Sequence, residues 1–290
     1  RRRIELRRGA RVRRRGIRRA GAVAAAALTL LSAAACAPSP DAAGGTLVVT
    51  GSSTIAPLLA EIAQGYEREH AGVRIDVQSG GSSRGIADVR AGLADIGMVS
   101  RDLAGDEQSL TAYPIARDGV GLIVNARNPV SALADAQVAA IYRGEIRSWA
   151  ALGGRDAPIS VVHKAEGRAT LEVFLTHFRL GDREVRAHVI AGENEQAVKT
   201  VAGDPDAIGY VSIGTAEVDI GHGVPIRLLA AGGVPATLAN VRLGTYPITR
   251  PLHLVTQEPA RGLAQDFIEY VRGPAARAVF EAQSFVQVGG

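Results

Sequence analysis

Two short hydroxyl-rich turns, each set between an extended run and an amphipathic run, constrain this chain more than any other feature. Leu47-Val48-Val49-Thr50 has the composition of a short buried strand and leads directly into Gly51-Ser52-Ser53-Thr54. Ile55, Leu58, Leu59, Ile62 and Tyr66 then recur at helical spacing. The design repeats at once. Val73 to Val77 alternates as a strand, Gln78-Ser79-Gly80-Gly81-Ser82-Ser83-Arg84-Gly85 follows, and Ile86, Val89, Ala91 and Leu93 predict a second helix. Strands alternating with helices make an α/β fold.

Each turn places Gly, Ser and Thr where a strand hands over to a helix. Unpaired backbone N–H groups point outward there, and the peptide dipoles leave roughly half a positive charge. Hydroxyls add hydrogen-bonding groups without bulk, and glycines let a ligand approach the backbone. Two such ends aimed at one point would cradle a small anion. Serine or threonine before a helix is also an ordinary N-cap, contributing about 1 kcal/mol. Two consecutive turns richer in hydroxyls than a cap requires favour the binding site.

Before these turns the chain carries a different kind of signal. Residues 1–35 hold eleven arginines against the single acid Glu5, and Ala20 to Ala35 is an uncharged run of small and apolar residues ending at Cys36. A basic segment, an apolar segment and small residues at a break describe an export signal over 1–36. The apolar run is shorter than the ~20 residues of a membrane-spanning helix. Leu31-Ser32-Ala33-Ala34-Ala35-Cys36 is similar to a bacterial lipoprotein cleavage box, which makes Cys36 the expected lipidation site and the only expected attachment to a membrane. Ala33-Ala34-Ala35 would also serve as a simple secretory cleavage site. Residues 37–45, with two prolines and two glycines, read as a flexible tether.

Removing the export segment reverses the charge. The whole chain has 33 basic and 29 acidic side chains; without eleven arginines and one glutamate, 22 stand against 28, a net of −6. That balance gives no support to a nucleic-acid-binding body. Cys36 is the only cysteine, so no disulfide forms within the chain, and six scattered histidines without metal-ligand spacing call for no metal. Nothing in the sequence calls for a cofactor.

Further along, Ala94 to Val99 reads as a strand ending in a third polar turn, Ser100-Arg101, whose guanidinium offers a planar fork of donors. Val120-Gly121-Leu122-Ile123-Val124 and a distant counterpart, Thr249 to Val255, have strand character and flank a self-contained block of strand and helix signals. A chain that leaves one lobe, builds another and returns makes two crossing strands and a hinge. The boundaries follow as 46–119 with 248–290 for one lobe and 120–247 for the other. Inside the second block, Ile159 to Val162 predicts a strand, His163 to Thr170 a fourth polar loop, and Leu171, Phe174, Leu175 and Phe178 a helix. Trp149, Tyr142, Phe174 and Phe178 are expected in the core.

In order and spacing, Gly51-Ser52-Ser53-Thr54, Gly80-Gly81-Ser82-Ser83-Arg84-Gly85, Asp95 to Arg101, Ile141 to Trp149, Ala207 to Val211 and Tyr246 to Leu252 resemble the substrate-binding proteins of bacterial phosphate ABC transporters. The resemblance covers nearly everything after the tether. It implies a two-lobed periplasmic-binding-protein fold of type II, each lobe a mixed sheet flanked by helices, with phosphate in the cleft. It also implies an ABC permease as partner and a monomeric state. By the matching motifs, Ser52, Ser53 and Thr54 would bind from the first turn, Ser82 and Ser83 from the second, and Ser100 and Arg101 from the third. From the far lobe the family's Arg-Glu-Glu-Gly-Ser-Gly-Thr loop corresponds to Lys164-Ala165-Glu166-Gly167-Arg168-Ala169-Thr170. Lys164, Gly167, Arg168, Ala169 and Thr170 are then the expected ligand-binding residues there.

Lys164 is a point charge in place of a fork, and Arg168 brings a charge where a hydroxyl is usual. Sulfate or molybdate therefore stand as alternatives to phosphate. The acid that in some such receptors accepts the ligand's proton is missing beside Ser100, leaving Glu166 or Asp118 as acceptors. A hydrolase is the rival reading: Gly81-Ser82-Ser83-Arg84-Gly85 satisfies G-x-S-x-G with Ser83 as nucleophile. Asp118 or Asp135, with any of His163, His177, His188, His222 or His253, would complete its triad. The chain is expected not to be an enzyme. A sensing or scavenging role without a transporter uses the same fold.

Overall fold

The long strand that joins the two halves of the molecule determines where everything else lies. In a computed structural model, which describes residues 44–288, the chain opens as β1 (Thr46–Gly51), α1 (Ala56–Glu69), β2 (Arg74–Ser79), α2 (Ser82–Arg90) and β3 (Ile96–Val99). The predicted export segment, Cys36 and the tether as far as residue 43 lie outside the described residues. β1 pairs in parallel with β2 on one side and β3 on the other. α1 begins with Pro57 in its first turn, where the missing N–H costs nothing. It turns Leu58, Leu59, Ile62 and Tyr66 onto the sheet. Each such buried side chain stabilises the fold by about 1.5–3 kcal/mol. α2 differs from the sequence expectation: it stops at Arg90, and Leu93 is 68% exposed, because Gly92 in a left-handed conformation breaks the helical repeat.

β4 (Thr111–Asn125) is the joining strand. After it come α3 (Asp135–Tyr142), β5 (Ser160–Lys164), α4 (Ala169–Phe178), β6 (Val189–Ala191), α5 (Asn194–Gly203), β7 (Ala207–Ser212), α6 (Ile213–Gly221), β8 (Ile226–Leu228) and α7 (Leu238–Arg242). The return is made by β9 (Thr249–Thr256), followed by α8 (Leu263–Arg272), α9 (Arg277–Ala282) and β10 (Val286–Gln287). The strands run β2-β1-β3-β9-β4-β7-β5-β6, with β8 and β10 attached to β4. β4 pairs antiparallel with β9 over Thr111–Gly119 and with β7 over Val120–Val124. One strand thus serves both lobes, and the handover falls at Gly119–Val120, where Val120 N–H donates to Ile248 O at 2.8 Å.

Each lobe is a mixed sheet covered on both faces. Around β1, β3 and β9, α1, α8 and α9 bury Leu58, Phe267 and Phe280 on one face, and α2 buries Ile86 and Val89 on the other. Around β4, β5 and β7, Tyr142, Trp149, Phe174 and Phe178 fill one core, while Val162, Val198 and Val201 fill the opposite one. The four expected core aromatics are all buried. β5 runs two residues beyond its expected end, so His163 and Lys164 belong to the strand. Parallel pairing with β6 at Val162, His163 and Lys164 keeps them extended.

Candidate anion-binding site

Where β4 and β9 run side by side, Asp118 and Arg250 face each other as direct cross-strand partners. Both are core positions, 1% and 3% exposed respectively. Arg250 Nε and Nη2 donate to Asp118 Oδ2 at 3.0 and 2.8 Å, which neutralises two charges that burial alone would make very costly. The guanidinium does more than neutralise. Nη2 also donates to Thr54 Oγ1 at 2.9 Å, and Nη1 to Thr170 Oγ1 at 2.9 Å and Ser100 Oγ at 3.4 Å. Four chain segments far apart in sequence therefore meet at one planar cation.

The surrounding hydroxyls belong to the same cluster. Ser52 Oγ donates to Ser100 Oγ at 2.8 Å, Ser100 N–H donates to Ser82 Oγ at 3.1 Å, and the Ser82 and Ser100 hydroxyls lie 3.5 Å apart. Ahead of α1, Ser52 Oγ also accepts from Thr54 N–H at 3.2 Å and Ser52 O from Ala56 N–H at 3.0 Å, whereas α2 and α4 begin without a side-chain cap bond. α6 shows the alternative, with Ser212 Oγ accepting from Thr215 N–H. The N-cap reading thus fails for the turn before α2, while Ser52 serves both its own turn and the cluster.

Both lobes close on this point. Gly81, with φ of 97°, begins α2, and a Cβ there would come within 2.6 Å of Gly167 O. Only glycine lets the two loops touch. Ser83 N–H donates to Gly167 O at 3.3 Å, Asn194 Nδ2 donates to Thr54 Oγ1 at 3.1 Å, and Ser79 Oγ donates to Glu193 Oε2 at 2.7 Å. Arg101 Nε pairs with Glu172 Oε2 at 2.6 Å, and Arg168 Nη2 with Glu193 Oε1 at 3.2 Å.

Lys164 approaches from the far lobe, 3% exposed, with Nζ donating to Glu193 O at 2.8 Å. Burial pushes its ammonium down to about 7, with Arg250 and Arg168 nearby acting in the same direction and Glu193 opposing them. Arg168 holds two buried nitrogens, Nε and Nη1, that no protein acceptor satisfies. The guanidinium charges here are matched by Asp118, Glu107, Glu172 and Glu193, but the two Arg168 nitrogens and the clustered hydroxyls remain as donors for an incoming acceptor. The region suits a small oxyanion that brings acceptors with it.

The family model described as the PBP superfamily domain matches residues 37–274. The chain belongs to the PBP superfamily. Among its relatives, the phosphate-binding protein PstS of Bacillus subtilis is 28% identical over 253 residues, covering 86% of this chain and 82% of that protein. PstS 2 of Streptococcus pneumoniae is 42% identical over 106 residues, 36% of each chain. A structure of a phosphate ABC transporter substrate-binding protein with bound phosphate from Clostridium perfringens superposes with a TM-score of 0.78. It is 29% identical, covering 84% of this chain and all of that one. An ABC-type phosphate transport receptor from Vibrio cholerae gives 0.68 at 28% identity, with coverages of 84% and 100%.

Within this PBP-superfamily fold the sequence-predicted residues divide into groups. Ser52, Thr54, Ser82, Ser100 and Thr170 lie buried in the cluster around Arg250. Lys164, Gly167, Arg168 and Ala169 line up on the far lobe, at and just before the start of α4. Ser53 is half-buried and faces a cavity of about 370 Å³ that also reaches Ser79 and Asn194. Ser83 N–H bonds Gly167 O across the lobes. Arg101 is held by two carboxylates, Glu107 at 2.6 Å and Glu172, and both of its terminal nitrogens donate to Glu107.

The two candidate proton acceptors fare differently from the expectation. Glu166 is exposed, and Asp118 is turned to Arg250 through Oδ2 while Oδ1 accepts from Gly214 N–H at 3.5 Å. Three of the histidines considered for a triad have other partners or pair with a candidate acid. His163 binds Tyr210 and Asp182, His177 pairs with Asp135, and His188 accepts from Val161 N–H.

Sequence reasoning missed Arg250 as a site residue, and Asn194 with it. The signal for Arg250 was present. Ile248, Arg250, Leu252 and Leu254 alternate on one face of β9, as Ala116, Asp118, Val120 and Leu122 do on β4. A cation and an anion at core positions of two strands are a pair in waiting. Asn194 left no such trace, since an Asn opening a helix is an ordinary cap.

Proposed function

We propose that this protein is an extracytoplasmic solute-binding protein that captures inorganic phosphate between its lobes and delivers it to an ABC permease. The observation that carries the reading is the convergence of Thr54, Ser100, Thr170 and Arg250, from four separate segments, at one buried point between the lobes. The relatives support it, being phosphate-binding proteins by name, one with phosphate bound in its structure. The ligand shell proposed is Ser52, Ser53, Thr54, Ser82, Ser83, Ser100, Lys164, Gly167, Arg168, Ala169 and Thr170, with Arg250 added. Arg101 acts beside it by tying Glu107 to Glu172.

The two lobes, 46–119 with 248–290 and 120–247, move about the β4 and β9 crossings. In the open form the first lobe engages the anion through its hydroxyl turns. Closure brings Gly167, Arg168 and Thr170 over it, and the hydroxyls exchange their mutual bonds for bonds to the ligand. Each buried donor left unpaired by a poor ligand costs about 1–3 kcal/mol, and this sets selectivity. The closed surface is what the permease recognises. The role is binding without turnover. Cys36, as a lipidated residue, would tether the protein outside the cytoplasmic membrane; no helix among the described residues is long and apolar enough to cross one.

Titration calorimetry of protein stripped of ligand tests the reading, with phosphate, sulfate and molybdate as titrants. One saturable site that prefers phosphate is expected. Absence of heat with phosphate, or a preference for either other oxyanion, would overturn it.

A further inference from the structure

On the second lobe, a cavity of about 440 Å³ opens between α3, the start of β5 and the segment before β6. Its volume is that of a small-molecule pocket. Ile141, Ile159 and Val161, all buried core residues, form part of its wall. Around them stand Arg143, Arg147, Arg186 and His188, and no acidic residue lines the cavity.

Arg147, Arg186 and His188 are exposed at the rim, and each side chain makes one contact with the backbone. Arg147 Nε donates to Gly144 O at 2.7 Å, and Arg186 Nη1 donates to Arg183 O at 3.2 Å. The stem of Arg186 lies against Gly144, whose φ of 74° and missing Cβ leave room for it. Val161 N–H donates to His188 Nδ1 at 3.0 Å, so the neutral ring carries its proton on Nε2 and presents a donor. Arg143 has one distant carboxylate, Glu184 at 3.9 Å, and Arg147 and Arg186 have none within ion-pair distance. Guanidinium donors recognise oxyanions, and over an apolar floor they suit a planar carboxylate head on a hydrophobic body.

We propose that this cavity is a second ligand site, separate from the interlobe cleft, that binds a small organic monocarboxylate with an aromatic or branched aliphatic body. Nothing in phosphate capture uses these residues, and the wall strand β5 ends at Lys164, well beyond the cavity-lining Ile159 and Val161.

Phenylacetate is the probe, titrated by calorimetry into the full protein already saturated with phosphate, so that the cleft is blocked. One additional site is expected, with acetate and phenethylamine binding at least tenfold more weakly because each lacks one half of the recognition. The double variant R147A/R186A should weaken phenylacetate at least tenfold while leaving phosphate affinity unchanged. Ala187→Trp, which fills the cavity while keeping every arginine, should do the same. Phenylacetate that does not bind, that binds no better than acetate, that binds both variants as it binds the wild type, or that competes with phosphate overturns the proposal. Failure of phosphate to bind would instead strike the cleft reading alone.

Discussion

Replacing Arg250 separates what the central cation does for the fold from what it does for the ligand. In Arg250→Leu, Asp118 loses both of its short charge-assisted bonds and keeps only the 3.5 Å contact from Gly214 N–H, at 1% exposure. Removing one partner of a buried ion pair costs about 3–5 kcal/mol. For a folded body of this size that lowers Tm by about 6–20 °C. In the double variant Arg250→Leu/Asp118→Leu no buried charge is left alone, and replacing a buried pair by apolar groups is close to neutral. Stability should then return to within about 1 kcal/mol of the wild type, while phosphate binding should not return. Losing charge-assisted hydrogen bonds of about 1.5–3 kcal/mol weakens phosphate by about ten- to a hundredfold. Urea unfolding followed by circular dichroism gives the stabilities, and calorimetry gives the affinities. A double variant that is stable and binds phosphate like the wild type would refute the assignment of Arg250 to the ligand shell. A single variant as stable as the wild type would refute the energetic role of the pair.

Three more outcomes follow from the same geometry. Gly81→Ala forces a Cβ to within 2.6 Å of Gly167 O at a φ of 97°, so stability should fall by about 1–3 kcal/mol and phosphate affinity by more than tenfold, read by urea unfolding and calorimetry. Lys164 is depressed to about 7 in the fold, so between pH 7 and about 10.4 the unfolded chain binds the extra proton and stability rises with pH. Lys164→Met removes that slope, and the wild-type urea midpoint should climb relative to the variant from pH 7 to pH 10; parallel curves would contradict it. Glu172→Gln breaks an interlobe pair whose carboxylate is 41% exposed, so solvent screening limits the effect. Less than about 1 kcal/mol of stability and no more than about fivefold in phosphate affinity should be lost in urea and calorimetric measurements.

Much of this architecture was legible because local and global signals agree in it. In β1, α1 and β2 the apolar period, the breaks and the hydroxyl turns all point the same way, and the structure follows them within three residues. Where a residue's role depends on a distant neighbour, the sequence was weaker. Leu93 continued the helical period of α2, but Gly92 ended the helix first and left the side chain in solvent. Lys164 reads as a loop cation until β6 is known to pair with β5 and extend it. Arg101 has the fork a ligand needs, yet Glu107, six residues on, occupies it. Asp118 and Arg250, 132 residues apart, become one unit only through the register of β4 with β9. That register is a tertiary fact, although the charged residues on core faces of two strands hinted at it.

The position of the anion is the quantity on which everything else rests. Arsenate has the shape of phosphate and scatters anomalously, so diffraction from crystals grown with it locates the ligand without reference to the surrounding protein density. The strongest anomalous peak should lie between the lobes, within hydrogen-bond distance of Thr54, Ser100, Thr170 and the Arg250 guanidinium. A peak elsewhere on the molecule, with that cluster unchanged and unliganded, would contradict the account.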